Sequence, residues 1–330
     1  MNLISAKPFG GDRDLWNRQL SACLNPNIFS THEWGEYKKT NWFLERVCFF
    51  DGDQFIGQTQ ILFKKLGPFK FGWCSSGINV TDHKFLSKCI EGLESYYNLW
   101  TTYIRFNFFD YGTDEAKAVF DRISLLKPVK KPVNSGFTVR FLDMPNWHGD
   151  PKLYSQNNRY YLKKARAQGL VFSITPLDID LFCKVHNAMA ETKDLQKLKV
   201  NAADISELHK YFGEKLLLAQ VSNGTEVIAV ALLIRHEKIL YYYLAGSSEL
   251  GRDLNASFLM VDSILSSAKD MGIKEFDFGG IDPNKQSIAG INRFKTGFAG
   301  TVVNYVGEKN LCKSKILIRI FDYIISRKLG

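Results

Sequence analysis

Two long stretches of this chain repeat one order of apolar and polar positions. In the first, a β-rich run at 46–50 meets Asp51-Gly52-Asp53-Gln54 and resumes over 55–63. In the second, a run at 216–221 meets Ser222-Asn223-Gly224-Thr225 and resumes over 226–234. Asp-Gly and Asn-Gly between such runs predict hairpins, because tight turns of the right twist need positive φ. Each hairpin is followed by a further strand and then by apolar residues at helical spacing, 85–93 and 258–265. Each helix leads into another strand, 103–108 and 273–278. The offsets are 172 residues between Gly52 and Gly224, 173 between Phe85 and Phe258, and 170 between Phe106 and Phe276. An offset that steady predicts duplication of one α/β unit of about 150 residues, a mixed sheet with helices on its faces.

The turn-rich Pro145-Asn146-Trp147-His148-Gly149-Asp150-Pro151 reads as the join, giving domains over 1–150 and 151–312. Beyond it, Ser155 can cap a helix that runs through Gln168 and is ended by Gly169. From Lys313 to Leu329, basic residues interleave with Ile, Leu and Phe, which predicts a last amphipathic helix. Such a helix either packs on its own protein or lies on a membrane surface.

Composition narrows the class. With 45% hydrophobic and 23% charged residues, the chain reads as globular rather than disordered or fibrous. Its 330 residues exceed the usual single core. The 25 Phe and 14 Tyr suit large cores together with a groove that grips something. No apolar run approaches the ~20 residues that span a bilayer, and Met1-Asn2-Leu3-Ile4 lacks the layout of a signal peptide. The expectation is a cytoplasmic protein. Six scattered cysteines form no C-x-x-C pair and read as small buried hydrophobes; the six histidines show no metal spacing, so no metal is expected. The net charge of +9 favours anionic partners: phosphates, nucleic acid or a lipid surface.

One region is poorly explained by packing. Asp277-Phe278-Gly279-Gly280-Ile281-Asp282 reads as an apolar strand closed by an acid and two glycines, and Arg293-Phe294-Lys295 follows. These residues, with Tyr241-Tyr242-Tyr243-Leu244-Ala245-Gly246-Ser247-Ser248 and Gly251-Arg252-Asp253-Leu254-Asn255-Ala256-Ser257, resemble the Fem family of peptidoglycan interpeptide-bridge aminoacyltransferases. Ser30-Thr31-His32-Glu33-Trp34-Gly35-Glu36-Tyr37-Lys38 is similar to that family's early tryptophan-to-lysine motif. The resemblance implies two tandem GNAT-like units, each a mixed twisted sheet flanked by helices. It implies transfer of an aminoacyl group from aminoacyl-tRNA to an amine of a cell-envelope precursor. It places Lys295 near the reacting ester and Lys38 on the precursor's diphosphate, and it returns the tail from about 313 to the first domain. Two features depart from the family pattern: no long heptad run forms a helical arm, and Glu191-Thr192-Lys193-Asp194-Leu195-Gln196-Lys197 stands where many members are arginine-rich. Compact members tied to surface polysaccharides keep the acceptor open.

The residues support candidate roles. Acyl transfer to an amine needs a base for the departing proton and donors for the oxyanion. Lys295 is suited to an oxyanion or phosphate, and Arg293 offers a planar fork for phosphate. Phe294 either stacks a base or fills the core. Asp277, Asp282 and Asp110 are candidate bases or orienters, and also ordinary turn formers. Substrate contacts are expected from Trp34, Tyr241, Tyr243, Arg252, Asn255 and Ser257, with the helix opening at 251–257 as an anion site. Arg159, Lys163, Lys164 and Arg166 form a basic stripe, either a solvated face or a landing strip for tRNA or a lipid diphosphate. No triad order and no activated cysteine stands out, so transfer is expected to be direct. Three readings remain open: an aminoacyl-tRNA-dependent transferase, an acyl-CoA-dependent N-acyltransferase acting on an amino sugar, and a two-unit glycan-binding protein. No tightly bound cofactor is expected. The partners expected are a nucleotide- or lipid-linked glycan precursor and aminoacyl-tRNA, with peripheral contact at the inner membrane face left open, as is the oligomeric state.

Overall fold

The computed structural model describes residues 4–147, 149–192 and 199–329. The chain starts with β1 (Ile4–Pro8), α1 (Arg13–Ser21) and α2 (His32–Lys38). A run of strands follows: β2 (Phe43–Asp51), β3 (Gln54–Leu66), β4 (Phe69–Cys74) and the short β5 (Asn79–Val80). Then come α3 (Leu86–Tyr96), β6 (Thr102–Tyr111), α4 (Asp114–Asp121) and β7 (Leu126–Pro128). The middle of the chain forms β8 (Phe137–Phe141), α5 (Gln156–Arg166), β9 (Val171–Pro176), α6 (Ile179–Thr192) and α7 (Ala202–Phe212). Next are β10 (Leu216–Ser222), β11 (Val227–His236), β12 (Ile239–Ser247), α8 (Glu249–Asp253) and α9 (Ala256–Asp270). The chain closes with β13 (Glu275–Ile281), α10 (Ala289–Thr296), β14 (Thr301–Leu311) and α11 (Lys315–Leu329). These elements divide into two compact units, 1–136 with 304–330, and 137–303.

Both units are built on one pairing plan. In the first, β1, β2, β3 and β4 pair antiparallel in order, β4 pairs β6 in parallel, and β14 closes on β6 antiparallel. In the second, β9, β10, β11 and β12 pair antiparallel, β12 pairs β13 in parallel, and β8 closes on β13 antiparallel. The fold is therefore two tandem GNAT-like units with mixed sheets. The duplicated hairpins are β2–β3 and β10–β11. Their glycines Gly52 and Gly224 both have positive φ, as the turn chemistry requires.

Helical spacing explains which faces are buried. In α3, Leu86, Cys89, Ile90 and Leu93 fall at i, i+3, i+4 and i+7, and all join the first core with Phe49, Ile61 and Phe106. In α9, Met260, Val261, Ile264, Leu265 and Ala268 pack under β10–β12 in the second core. Five of the six cysteines are buried and all are unpaired.

Three boundaries differ from the sequence reading. The turn at 145–151 lies inside the second unit, because residues 137–141 already pair with β13 as its closing strand. The tail joins the first unit from residue 304, since β14 supplies that unit's closing strand before α11 begins. Asp277 does not end its strand; β13 runs through both glycines to Ile281. Residues 193–197 of the segment that departs from the family pattern, and His148, lie outside the described residues.

Candidate active site

The parallel ladder between β12 and β13 is short. Ile239, Leu240 and Tyr241 face Glu275, Phe276 and Asp277, and pairing stops there although both strands continue. A bulge places an extra residue on β13 between Asp277 and Gly280, opposite Thr138–Arg140 of β8. Gly279 carries it with φ +82°, a conformation that a side chain opposes. The bulge turns the Gly279 N–H back onto the Asp277 carboxylate at 2.8 Å, where the Thr138 hydroxyl also donates at 2.8 Å. Arg140 flanks Asp277 at 3.8 Å and is bound to Glu275 on its other side. Asp277 is thus a buried acceptor whose Oδ1 takes both hydrogen bonds, while its Oδ2 faces Arg140.

Lys295 reaches this bulge from α10. Its ammonium donates to the Gly280 carbonyl at 3.0 Å and lies 5.6 Å from the centre of the Phe278 ring. A Cβ on Gly279 would come within 3.2 Å of its Nζ, so the absence of a side chain there makes room for the cation. Burial draws the Lys295 pKa down to about 8, against the nearby Asp277 charge, which favours the ammonium. At pH 7 it is still ~90% protonated on that value. A half-buried, partly desolvated cation at an open strand junction can hold a developing oxyanion or a phosphate.

Packing fixes α10. Phe294 lies edge-on to Phe258 at 5.0 Å and to Phe298 at 5.2 Å, so it fills the core. The amide of Asn158 on α5 donates to the Phe294 carbonyl at 2.9 Å, and Ser155, the N-cap of α5, has its own N–H on the Gly297 carbonyl at 2.8 Å. Asn292 clamps the Asp282 backbone through both its amide groups, at 2.6 and 3.1 Å. The Asp282 carboxylate accepts from the Asn284 N–H at 3.1 Å and closes a turn. Arg293, between Lys295 and this clamp, is exposed.

Other candidates lie elsewhere in the second unit. Tyr241 is buried beside Asp277, and Tyr243 is half-buried at a bulge of β12. Residues 251–257 do not open one helix. Ser248 caps the short α8, and Asn255, at φ +59°, breaks it from α9. The N–H groups of Gly251, Arg252, Leu254 and Asn255 are all spent inside that turn, on Ser248, Leu250 and Arg252. The Arg252 guanidinium donates to the Ser247 carbonyl, the Asn255 amide to Asp253, and Ser257 is half-buried on the first turn of α9. Four of the amides at this expected anion site, those of Gly251, Arg252, Leu254 and Asn255, therefore already have partners. On α5, Lys163 and Lys164 are exposed, Lys164 lying 4.7 Å over Tyr160. Arg166 is tied to Asp262 at 2.8 Å and Arg159 to the Lys152 carbonyl at 2.9 Å, so two of the four basic residues have structural partners.

The remaining candidates belong to the first unit. Thr31 caps α2 by accepting from the Trp34 N–H. Gly35 lets that helix close onto β3, since a Cβ there would stand 2.3 Å from the Gln60 side-chain oxygen. Trp34 and Lys38, four residues apart, share a face, with the Lys38 ammonium 4.9 Å over Trp34 and 4.3 Å over Tyr37. Both line a cavity of about 260 Å³ with Trp42, Trp73, Asn107 and Phe109. Asp110 accepts from the Asn25 amide at 2.8 Å and lies 2.8 Å from the His83 ring. Thr138, Arg140, Asn158 and Asn292 carry no local signal in the sequence, since each acts on a partner ten or more residues away. Among the described residues no cluster of His, Cys, Asp or Glu could hold a metal ion.

The FemAB family model matches residues 183–325. No curated protein matches the sequence. Among solved structures, a crystal structure of FemX is similar with a TM-score of 0.79 and 16% identity, over 96% of this chain and 100% of that one. L-PGS from Bacillus licheniformis is similar at 0.58 and 12% identity, over 97% of each chain. A tandem GNAT protein from the clavulanic acid biosynthesis pathway gives 0.57 and 9%, over 93% of this chain and 98% of that one. These likenesses carry the tandem GNAT fold across the whole length, and the resemblance to the Fem family holds. With the family match, the chain is an acyltransferase.

Proposed function

We propose, from the premise that the chain is an acyltransferase resembling the FemAB family, that it moves an aminoacyl group from aminoacyl-tRNA to an amine of a cell-envelope precursor. The observation that carries this reading is the Lys295 ammonium, held by Gly280 and Phe278 where the β12–β13 ladder opens. The donor ester's carbonyl is taken to sit against this cation. Attack by the acceptor amine forms the new C–N bond and puts charge on the carbonyl oxygen, which the cation offsets; the C–O bond to the tRNA ribose then breaks, and the proton that the amine sheds passes to the departing ribose oxygen. Asp277, held by Thr138 and Gly279, keeps Lys295 charged and oriented. Its anchoring favours an electrostatic role over that of a mobile base.

The first unit is assigned the acceptor. Its aromatic cavity offers stacking surface and one cation, Lys38, for a glycan precursor carrying a diphosphate. The precursor is nucleotide- or lipid-linked, and a lipid-linked one would place the reaction at the inner face of the membrane. The exposed lysines of α5 are assigned to the tRNA backbone.

An acyl-CoA donor acting with an amino sugar is the second reading. The N–H groups of Gly251, Arg252, Leu254 and Asn255 are spent, so a pyrophosphate there would depend on the first amides of α9 alone, which weighs against it. The deciding experiment incubates candidate precursors with charged tRNA or with acyl-CoA and reads the mass shift. A shift that needs charged tRNA and is lost on RNase treatment supports the proposal. Release of free CoA thiol with acylation would replace it with the second reading. Precursor binding with no transfer from either donor would point to a glycan-binding protein.

A further inference from the structure

Helix α11 has two apolar stripes, one packed on the first unit and one exposed. Leu317, Phe321 and Ile324 pack with Ile318 against Phe71 and Tyr103, the Phe321 ring stacking on Phe71 at 4.4 Å. One residue back at each step, Ile316, Ile320 and Tyr323 repeat the same i, i+4, i+7 spacing. Yet they are 70%, 39% and 56% exposed. At about 3.6 residues per turn this second stripe lies beside the packed one. Lys315 and Arg319 are exposed along its outer border. The helix's acid, Asp322, turns inward to Arg105 and leaves that border basic.

Further apolar residues crowd the same end of the first sheet. Trp100 is 64% exposed in the loop between α3 and β6, and Leu66 is exposed where β3 turns into β4. Backbone bonds tie these pieces together: Lys70 N–H to the Thr101 carbonyl at 2.9 Å, and Lys313 N–H to the Leu99 carbonyl at 3.0 Å. Lys64 and Lys65 precede Leu66, and the edge's acids are paired: Glu94 of α3 with Lys313, and Glu45 of β2 with Lys70 at 3.0 Å.

We infer that this edge is an interfacial docking surface for an anionic bilayer, with the outer stripe of α11 and Trp100 entering the headgroup region. Charge decides the occupant. An apolar stripe flanked by Lys and Arg, with a tryptophan at its rim, matches an acidic lipid surface. A second copy of this chain would set the same basic border against itself. The surface is defined without reference to donor or acceptor, so it goes beyond the function proposed above.

The test is flotation of the full chain with vesicles of phosphatidylglycerol and phosphatidylcholine in equal parts, and with phosphatidylcholine alone. Wild type should float with the anionic vesicles and stay down with the neutral ones, and binding should weaken as salt rises. The pair Ile316→Glu and Ile320→Glu should abolish flotation while circular dichroism and acyl transfer to a soluble acceptor stay unchanged. Reversing Lys315 and Arg319 to Glu should weaken binding by at least ~5-fold per position. Equal flotation of wild type and the Ile316/Ile320 variant would overturn the proposal, as would no flotation at all. So would a wild-type dimer in light scattering that this variant dissociates.

Discussion

Lys295 carries an ordinary amine pushed out of its ordinary range, and its titration can be read in two independent ways. Burial lowers its pKa to about 8, so the cation proposed for transfer is present below that value and lost above it. kcat/KM should therefore fall as pH rises through about 8. Lys295→Arg should hold activity on a flatter alkaline limb, because a guanidinium stays charged. A rate that climbs through that pH would instead make the free amine the active form. Stability runs the other way. The unfolded chain binds the proton up to the usual lysine pKa, so between about 8 and 10.5 unfolding takes up a proton and the fold gains stability with rising pH. Lys295→Met should accordingly raise stability at pH 7 by about 1–3 kcal/mol while transfer is lost. The His83–Asp110 pair has the opposite sign. The hydrogen bond that the His83 ring donates to the Asp110 carboxylate holds the His83 pKa above its usual value, against partial burial. Its stabilisation is complete below the unfolded value near 6.5 and fades as pH rises through the higher folded one. The melting-temperature gap between wild type and His83→Gln should thus narrow with increasing pH, and Asp110→Asn should move the His83 ring titration in NMR back down.

At the level of elements, the bulge on β13 decides where those side chains stand. Gly279→Ala would strain a φ of +82° and press a methyl group to 3.2 Å from Nζ of Lys295. The strain costs about 1–2 kcal/mol, and the displaced cation should lower kcat more than KM, since the residue makes no substrate contact in this scheme. Loss in KM alone would remove the bulge from the catalytic step. The sequence made some of this legible. The Asp51-Gly52 and Asn223-Gly224 turns set both hairpins, and the apolar spacing of α3 and α9 set the buried faces, because these depend on neighbours in sequence. The two glycines after Asp277 flagged the bulge but not its form. That form depends on Thr138 and Arg140 in β8, 139 and 137 residues away, and no local pattern encodes a pairing of that range. The basic stripe on α5 was readable as spacing, whereas its attachment through Arg166 to Asp262 was not.

Across the whole molecule, duplication explains the pairing plan, and a closing strand from the far end of the chain explains how the first unit is finished. β14 pairs with β6, and α11 then covers Tyr103 and Phe71. A buried charge cluster locks this return. Arg105 is fully buried; its guanidinium meets Asp322 of α11 at 2.6 Å and Glu308 of β14 at 3.5 Å, and its Nε donates to the Tyr103 hydroxyl at 2.8 Å. Burial pushes the Glu308 carboxyl upward in pKa, while Asn134 and Arg105 pull it back. Arg105→Met would leave Glu308 and Asp322 without their shared cation, at a cost of about 3–5 kcal/mol. Replacing Arg105, Glu308 and Asp322 together by apolar residues of matching volume should recover most of that loss, since the desolvation penalty disappears with the charges. Hydrogen exchange locates the effect. In Arg105→Met, amides of residues 304–325 should lose protection while those of β10 to β13 keep theirs. Uniform loss along the chain would mean that the cluster supports the fold as a whole rather than the anchoring of its tail.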